Sequence, residues 1–177
     1  YEAKEILDDS RARIAKVFNC RPDEIYFTSC GSESDNWAIK GIASAHRKKG
    51  NHIITTKIEH HAVLHTCEYL EKNGYEVTYL DVDEYGMVHP EDVEKAIKDT
   101  TILISIMYAN NEIGTIQPVK EIGAIAKEHG ILFHTDAVQA LANMPIDVKN
   151  MGIDLMSMSA HKIYGPKGVG ALFVKTG

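Results

Sequence analysis

The residues with the most chemical potential gather in one stretch, Ser157-Met-Ser-Ala-His-Lys-Ile-Tyr-Gly-Pro-Lys-Gly168. A mostly apolar run from Asp154 to Met158 reads as a strand that breaks at Ser159-Ala-His-Lys162 and turns through Gly165-Pro166. Val169 to Val174 reads as the next strand. Lys162 therefore sits on a loop between two core strands, with the hydroxyl of Ser159 and the imidazole of His161 beside it. A lysine held this way can lose solvation, become a neutral amine and attack a carbonyl. Most loop lysines are simply solvated. Here the neighbours supply anion ligands, and Asp136 stands at a strand end 26 residues upstream.

The elements that must position this stretch alternate along the chain. Residues 3–18 carry Ile6, Leu7, Ile14, Val17 and Phe18 on roughly one helix face, and Arg21-Pro22-Asp23 breaks it. Glu24 to Ser29 reads as a strand, followed by Cys30-Gly31-Ser32 and a helix from about 34 to 48. Strand, glycine, hydroxyl and helix start is the layout of an anion site, although Ser32 alone is equally an ordinary cap. His52 to Thr56 is a short strand. His60 stands where that strand gives way to a helix ending near Asn73-Gly74. Tyr75–Leu80 and Thr101–Met107 read as strands, with a short helix opened by Pro90 between them. Tyr108-Ala-Asn-Asn-Glu-Ile-Gly114 is a loop that either faces a ligand through Asn111 or turns on a left-handed Asn. A helix opened by Pro118 and closed by Gly130 leads to the strand ending in Asp136, and Gln139 follows in a turn.

Seven strands linked by helices predict an α/β fold: three αβα layers around a mostly parallel, mixed sheet. Ligands in such sheets bind beyond the carboxyl ends of the strands. Ser32, His60, Asn111, Asp136, Gln139, Ser159, His161 and Lys162 all map to that edge. The GxGxxG and GxxxxGK[ST] phosphate loops are absent.

Composition narrows the partners. The chain has 177 residues, 44% hydrophobic and 25% charged, with a formal net charge of −6. It can bury a core as one domain, and it lacks the basic footprint of a nucleic-acid binder. No apolar run approaches membrane length. Cys20, Cys30 and Cys67 form no CxxC pair, which suits a reduced, cytoplasmic setting. His61 and His65 have zinc spacing but lack a third ligand and the HExxH glutamate, so a solvated helix face is expected and no metal site. Tyr1 starts inside a helical pattern and Gly177 directly follows a strand, so the chain is expected to be a piece of something longer.

Taken together, the edge residues specify pyridoxal phosphate. A lysine can form an imine, and an aspartate can hold a pyridine nitrogen protonated. A Gly-Ser helix start with Ser159 and His161 can hold a phosphate. His60 can lie over a flat ring, and Asn111 and Gln139 can donate to a phenolate oxygen.

The sequence also resembles the cysteine desulfurases of the NifS/IscS type, within the class V aminotransferase family of fold-type I pyridoxal-phosphate enzymes. The pattern S-x-H-K-x-x-G-P-K-G appears as Ser159-Ala-His-Lys-Ile-Tyr-Gly-Pro-Lys-Gly168 and T-E-S-N/D-N as Ser32-Glu-Ser-Asp-Asn36. T-E-H-x-A-V-L appears as Ile58-Glu-His-His-Ala-Val-Leu64, N-N-E-I-G-x-x-Q-P as Asn110 to Pro118, and H-x-D-A-x-Q as His134 to Gln139. The motifs span nearly the whole chain in family order. Ser32 replaces the usual Thr but keeps the hydroxyl; Ile58 replaces a common Thr outside the site.

The resemblance implies that residues 1–177 are the cofactor-binding large domain of such an enzyme. Lys162 and His60 would be catalytic, Lys162 carrying the cofactor and moving a proton and His60 stacking on the ring. Asp136 would pair with the ring nitrogen, Gln139 and Asn111 would lie at the phenolate oxygen, and Gly31, Ser32, Ser159 and His161 would hold the phosphate. It further implies an L-cysteine substrate, alanine and an enzyme persulfide as products, iron–sulfur scaffold or other sulfur-acceptor partners, and a homodimer. The family's opening Asn-Ala-Thr-Thr run, its small domain and its nucleophilic cysteine have no counterpart here, and none of Cys20, Cys30 or Cys67 matches that cysteine. The isolated chain is therefore expected to be inactive in sulfur transfer. The same motifs admit a selenocysteine lyase or another class V enzyme, and a truncated, non-catalytic sulfur-assembly partner is the alternative outside catalysis.

Overall fold

Strand-like and helix-like segments alternate in the computed structural model much as the patterning dictates, over residues 1–177. In chain order they are α1 (Glu2–Phe18), β1 (Ile25–Thr28), α2 (Gly31–Ala45), β2 (His52–Thr56), α3 (His61–Lys72), β3 (Glu76–Leu80), α4 (Pro90–Lys95), β4 (Thr101–Ser105), α5 (Val119–Glu128), β5 (Leu132–Asp136), β6 (Leu155–Ser159) and β7 (Gly170–Val174). Short 3-10 turns cover Pro22–Glu24 and Ala160–Ile163. No helix is long and apolar enough to cross a membrane.

The seven strands form one mixed sheet in the order β1-β7-β6-β5-β4-β2-β3. Strands β3, β2, β4, β5 and β6 run parallel, and β7 alone is reversed, pairing antiparallel with both β6 and β1. The carboxyl ends of β1, β2, β4, β5 and β6 therefore lie along one edge.

Strand side chains alternate between faces. Ile54, Ile104, Phe133, Met156 and Phe173 pack on one side with residues of α1, α4 and α5. Ile53 and Leu103 pack on the other with Ile39 and Ala43 of α2 and Val63, Cys67 and Leu70 of α3. This is the expected three-layer arrangement. The same alternation turns His134 and Asp136 of β5 towards α2, at the point where the apolar pattern gives way to polar residues.

Two expectations are revised. The first helix uses only part of its apolar stripe: Ile14 and Phe18 pack against the core, whereas Ile6, Leu7 and Val17 remain exposed. The helix lies at the margin of the layer, and only its C-terminal half reaches the sheet. The second helix begins at Gly31 rather than near residue 34, so its first turn lies at the end of β1 itself.

Helix α5 reaches its place by a backbone contact. A Cβ on Gly123 would stand 1.9 Å from the Met151 carbonyl oxygen. Alanine in a free helix is favoured over glycine by about 1 kcal/mol. Here Gly123→Ala is expected to destabilise the fold by about 1–3 kcal/mol through overpacking, read as a lower urea midpoint. A raised midpoint would show that α5 is not held this close.

Candidate active site

The site is built from the loops that leave five strands. Cys30, Gly31 and Ser32 follow β1, His60 follows β2, Met107, Ala109 and Asn111 follow β4, Asp136, Val138 and Gln139 end and follow β5, and Ser159, His161 and Lys162 end and follow β6. With Asp35 of α2 they line one cavity of about 200 Å³. All nine residues singled out from the sequence are thus brought together. A larger apolar groove, about 980 Å³, lies between α1 and the 141–151 segment. It contains neither Lys162 nor a histidine nor a buried acid, so the smaller cavity is the candidate site.

One wall is the first turn of α2. Its N-cap, Cys30, makes no side-chain capping bond, and the first helical N–H with a backbone partner nearby is that of Ser34, on the Cys30 carbonyl at 3.2 Å. The preceding N–H groups and the positive end of the helix dipole are left for an anion. Gly31 is required because a Cβ there would stand 2.6 Å from Val138 Cγ2. Ser32 is exposed at the rim. Opposite, buried Ser159 pairs its hydroxyl with His161 Nδ1 at 2.7 Å.

The floor is acidic and buried. Asp136, 7% exposed, ends β5 and accepts from the Val138 N–H at 3.0 Å through Oδ1. Burial raises its pKa, while the Val138 N–H and the nearby His60 oppose the shift. Beneath it, His134 spans three strands: Nδ1 meets Ser105 Oγ at 2.8 Å and Nε2 meets Ser157 Oγ at 2.9 Å. Burial presses its pKa down to about 3, so the ring is neutral. Glu59 is also buried. Its two oxygens accept the Met107 N–H at 3.0 and 3.1 Å, and Oε1 accepts the Thr56 hydroxyl at 2.8 Å. The carboxyl thus ties β4's end to the β2–α3 loop that carries His60. Desolvation outweighs those bonds and pushes its pKa up to about 8.

His60 caps α3, its Nδ1 accepting the Ala62 N–H at 3.1 Å. This leaves Nε2 as the ring nitrogen free to meet another group. His61 and His65 stack with ring centroids 5.3 Å apart on the exposed face of α3.

The Asn110–Pro118 motif divides into support and site. Buried Asn110 donates to the Ile58 carbonyl at 2.9 Å and accepts from Glu112 and Ile113 N–H at 2.8 and 3.0 Å. Gln117 donates to the Gly86 carbonyl and accepts the Val88 N–H. Asn111, exposed, is the member that lines the cavity. The loop does not turn on a left-handed asparagine: Gly114 supplies the positive φ, 76°, and Asn110 forms a side-chain turn instead.

The expected desolvation of Lys162 is absent. It stands on the Ala160–Ile163 turn with its side chain exposed, as are its neighbours from His161 to Tyr164. The turn lies beyond the strand ends and packs on one side only. Cys67 and Cys20 are held as thiols, pushed up to about 12 and about 11 mainly by burial. Cys30 is half-buried at the cavity wall. The strand ends leave it facing the site. Sequence reasoning passed over Asp35 and Glu59 as site components and saw His134 only as a motif letter. The visible signal was three ionisable residues at positions otherwise patterned as core.

Whole-chain comparison places these features in context. Residues 1–177 match the aminotransferase class-V family. The cysteine desulfurase IscS of Clostridium botulinum is 64% identical over 176 residues, covering 99% of this chain and 44% of that protein. The cysteine desulfurase IscS of Methanosarcina thermophila is 63% identical over 175 residues, 99% of this chain and 43% of that protein. Among solved structures, SspA in complex with cysteine superposes with a TM-score of 0.95 at 47% identity, covering 98% of this chain and 50% of that one. A NifS-like protein gives 0.96 at 45% identity, covering 99% and 49%. The chain spans about half the length of the relatives it matches.

The buried groups set opposite pH dependences. Glu59 has a folded pKa above the ordinary carboxylate value of 4.5, so its contribution to stability is present below that value and is lost as pH rises through about 8. His134, depressed from 6.5 to about 3, contributes fully above 6.5 and loses that contribution as pH falls. Glu59→Gln is expected to reduce the decline in Tm between about pH 5 and 9. An unchanged decline would assign the loss to other groups.

Proposed function

Because the chain belongs to the aminotransferase class-V family, we propose that it is the cofactor-binding domain of a pyridoxal-phosphate-dependent cysteine desulfurase. The observation that carries the reading is the pairing, across one small cavity, of Lys162 with a buried Asp136 and an uncapped helix start. The similarity to IscS proteins and to the cysteine-bound SspA supports the substrate, L-cysteine.

The residues present fit the cofactor. The free N–H groups of α2, the glycine that clears space at Val138, and Ser32, Ser159 and His161 suit a phosphate. Asp136 is an acceptor for a ring N–H, and Asn111 and Gln139 bring amide donors to the same cavity. Bound there, pyridoxal phosphate would supply an aldehyde that condenses with amines and a ring that accepts electrons from a broken Cα–H bond.

In this reading Lys162 would hold the cofactor through Nζ, and its amine, once free, would be placed to take a proton from the Cα of a bound amino acid. Asp136, in its anionic form, would favour a protonated ring nitrogen and so stabilise negative charge developing at Cα. His60, its orientation set by the Ala62 N–H, would cover the ring. The sulfur-accepting cysteine would be supplied by the rest of the protein, since none of Cys20, Cys30 and Cys67 matches its place in the family pattern. Cover for exposed Lys162 comes from there too, or from the second subunit of a homodimer. The persulfide passes to an iron–sulfur scaffold or another sulfur acceptor, and the second product is alanine. The isolated chain binds cofactor without completing sulfur transfer.

The test is pyridoxal phosphate added to the purified chain, then borohydride reduction and peptide mapping. The expected result is a visible absorbance band and a reduced label on Lys162, both abolished in Lys162→Ala. A full band in the variant, or a label elsewhere, overturns the assignment. A chain extended to the length of its relatives is expected to release sulfide from L-cysteine with a reductant present, whereas the 177-residue chain does not.

A further inference from the structure

Glu59 stands directly before His60 and is 5% exposed, but its side chain supports the cavity without lining it. Its partners explain its burial. Successive backbone N–H groups of a strand point to opposite neighbours. Beyond the end of β4, those of Ile106 and Tyr108 go to the β5 side, onto the carbonyls of His134 and Asp136 at 3.1 and 2.9 Å. The Met107 N–H between them therefore points to the β2 side. Strand β2 has ended at Thr56 by then, and the chain that follows has left the sheet. The Glu59 carboxyl takes the place of the missing strand, accepting that N–H through both oxygens at 3.0 and 3.1 Å. Thr56, the last residue of β2, donates to Oε1 at 2.8 Å and orients the carboxyl. A second bond runs beside it: the Asn110 amide donates to the Ile58 carbonyl at 2.9 Å.

We infer that Glu59 is a positioning residue for His60: its carboxyl, seconded by the Asn110 amide, clamps the β2–α3 loop to the exit of β4 and so fixes His60 opposite the Ala109–Asn111 wall of the cavity. Backbone pairing would satisfy the Met107 N–H equally well, but only by extending β2 through residues 57–60, which would keep His60 in the sheet. A side-chain acceptor satisfies the same donor while the backbone turns away and presents the imidazole at the cavity. The clamp bonds fall on Ile58 and Glu59, just before His60. The bond from the Ala62 N–H to Nδ1 falls just after it. The loop is thus held on one side and the ring on the other. Burying an acid for this purpose costs hydration free energy that a shorter apolar side chain would not, and it returns a fixed loop. The clamp stands on this chain's own bonds, and its role towards a cofactor ring rests on the proposed cofactor reading.

The clamp is tested first without cofactor. In the wild-type chain the Met107 amide, which has no strand partner, is expected to resist hydrogen exchange as well as its neighbours Ile106 and Tyr108 do; fast exchange at Met107 overturns the proposal even if every variant fails to fold. NMR of isotope-labelled histidines then follows the ring of His60. Glu59→Ala is expected to shift or broaden its signal and to leave those of His61 and His65, on the exposed face of the same helix, in place. Glu59→Gln keeps an oxygen for the Met107 N–H and an amide that the Thr56 hydroxyl can accept, so its His60 signal is expected to stay near the wild-type position. An unmoved His60 signal in folded Glu59→Ala rejects the positioning role. Pyridoxal phosphate titration tests the consequence. Glu59→Ala is expected to weaken binding about tenfold and Glu59→Gln by no more than about threefold; equal losses in the two variants reject the clamp. In a His60→Ala background, Glu59→Ala is expected to add less than about a twofold loss, whereas a full further loss there assigns the effect to general packing and rejects action through His60. A wild-type chain with a protected Met107 amide that binds no cofactor keeps the clamp and removes the functional reading.

Discussion

The costly feature of this structure is the burial of a carboxylate at the end of a core strand, and much of the surrounding architecture offsets that cost. Asp136 terminates β5 on the face covered by α2. A charge moved from water into a protein interior loses several kcal/mol of hydration unless dipoles and partners replace it. The replacements are local and specific: the Val138 N–H and the neighbouring His60. Each comes from a different part of the chain. The sheet must form in its observed order before any of them can act.

The polar layer beneath the cavity shows how a strand sequence serves two purposes. Ser105, His134 and Ser157 lie on adjacent strands and join into one hydrogen-bonded row. Their strands keep the apolar contacts of the opposite face through Ile104, Phe133 and Met156. A fully apolar layer here would pack equally well but would offer no polar floor to the acids above it. Burial of a neutral histidine between two hydroxyls leaves both ring nitrogens satisfied, so the row adds rigidity without adding charge. Glu59 performs a related task between loops, holding the backbone of Met107 next to the turn that carries His60.

The exposed position of Lys162 contrasts with this buried floor. The acids and imidazole of the floor are buried deep in the chain, while the Lys162 amine stands on an exposed turn. The site is thus half enclosed: its acidic floor is buried among packed strands, and its open side faces outward. This is consistent with a chain about half as long as the relatives it resembles.

Much of this was legible in the sequence. The alternation of β-branched runs with amphipathic segments gave the seven strands, and the rule that ligands sit beyond strand carboxyl ends gathered Ser32, His60, Asn111, Asp136, Gln139, Ser159, His161 and Lys162 on one edge. Local patterns of this kind are set by residue spacing, which a sequence carries in full. Strand order, the reversal of β7 and the start of α2 at Gly31 depend on contacts between distant segments, and those decided what the local pattern left open. The sequence marked Asp35 as one more polar residue in a helical first turn. Only the packing of α2 across β5 and β6 buried its carboxyl at the wall of the cavity that Asp136 also lines, because burial depends on contacts between distant segments, which the spacing of two residues along the chain does not encode.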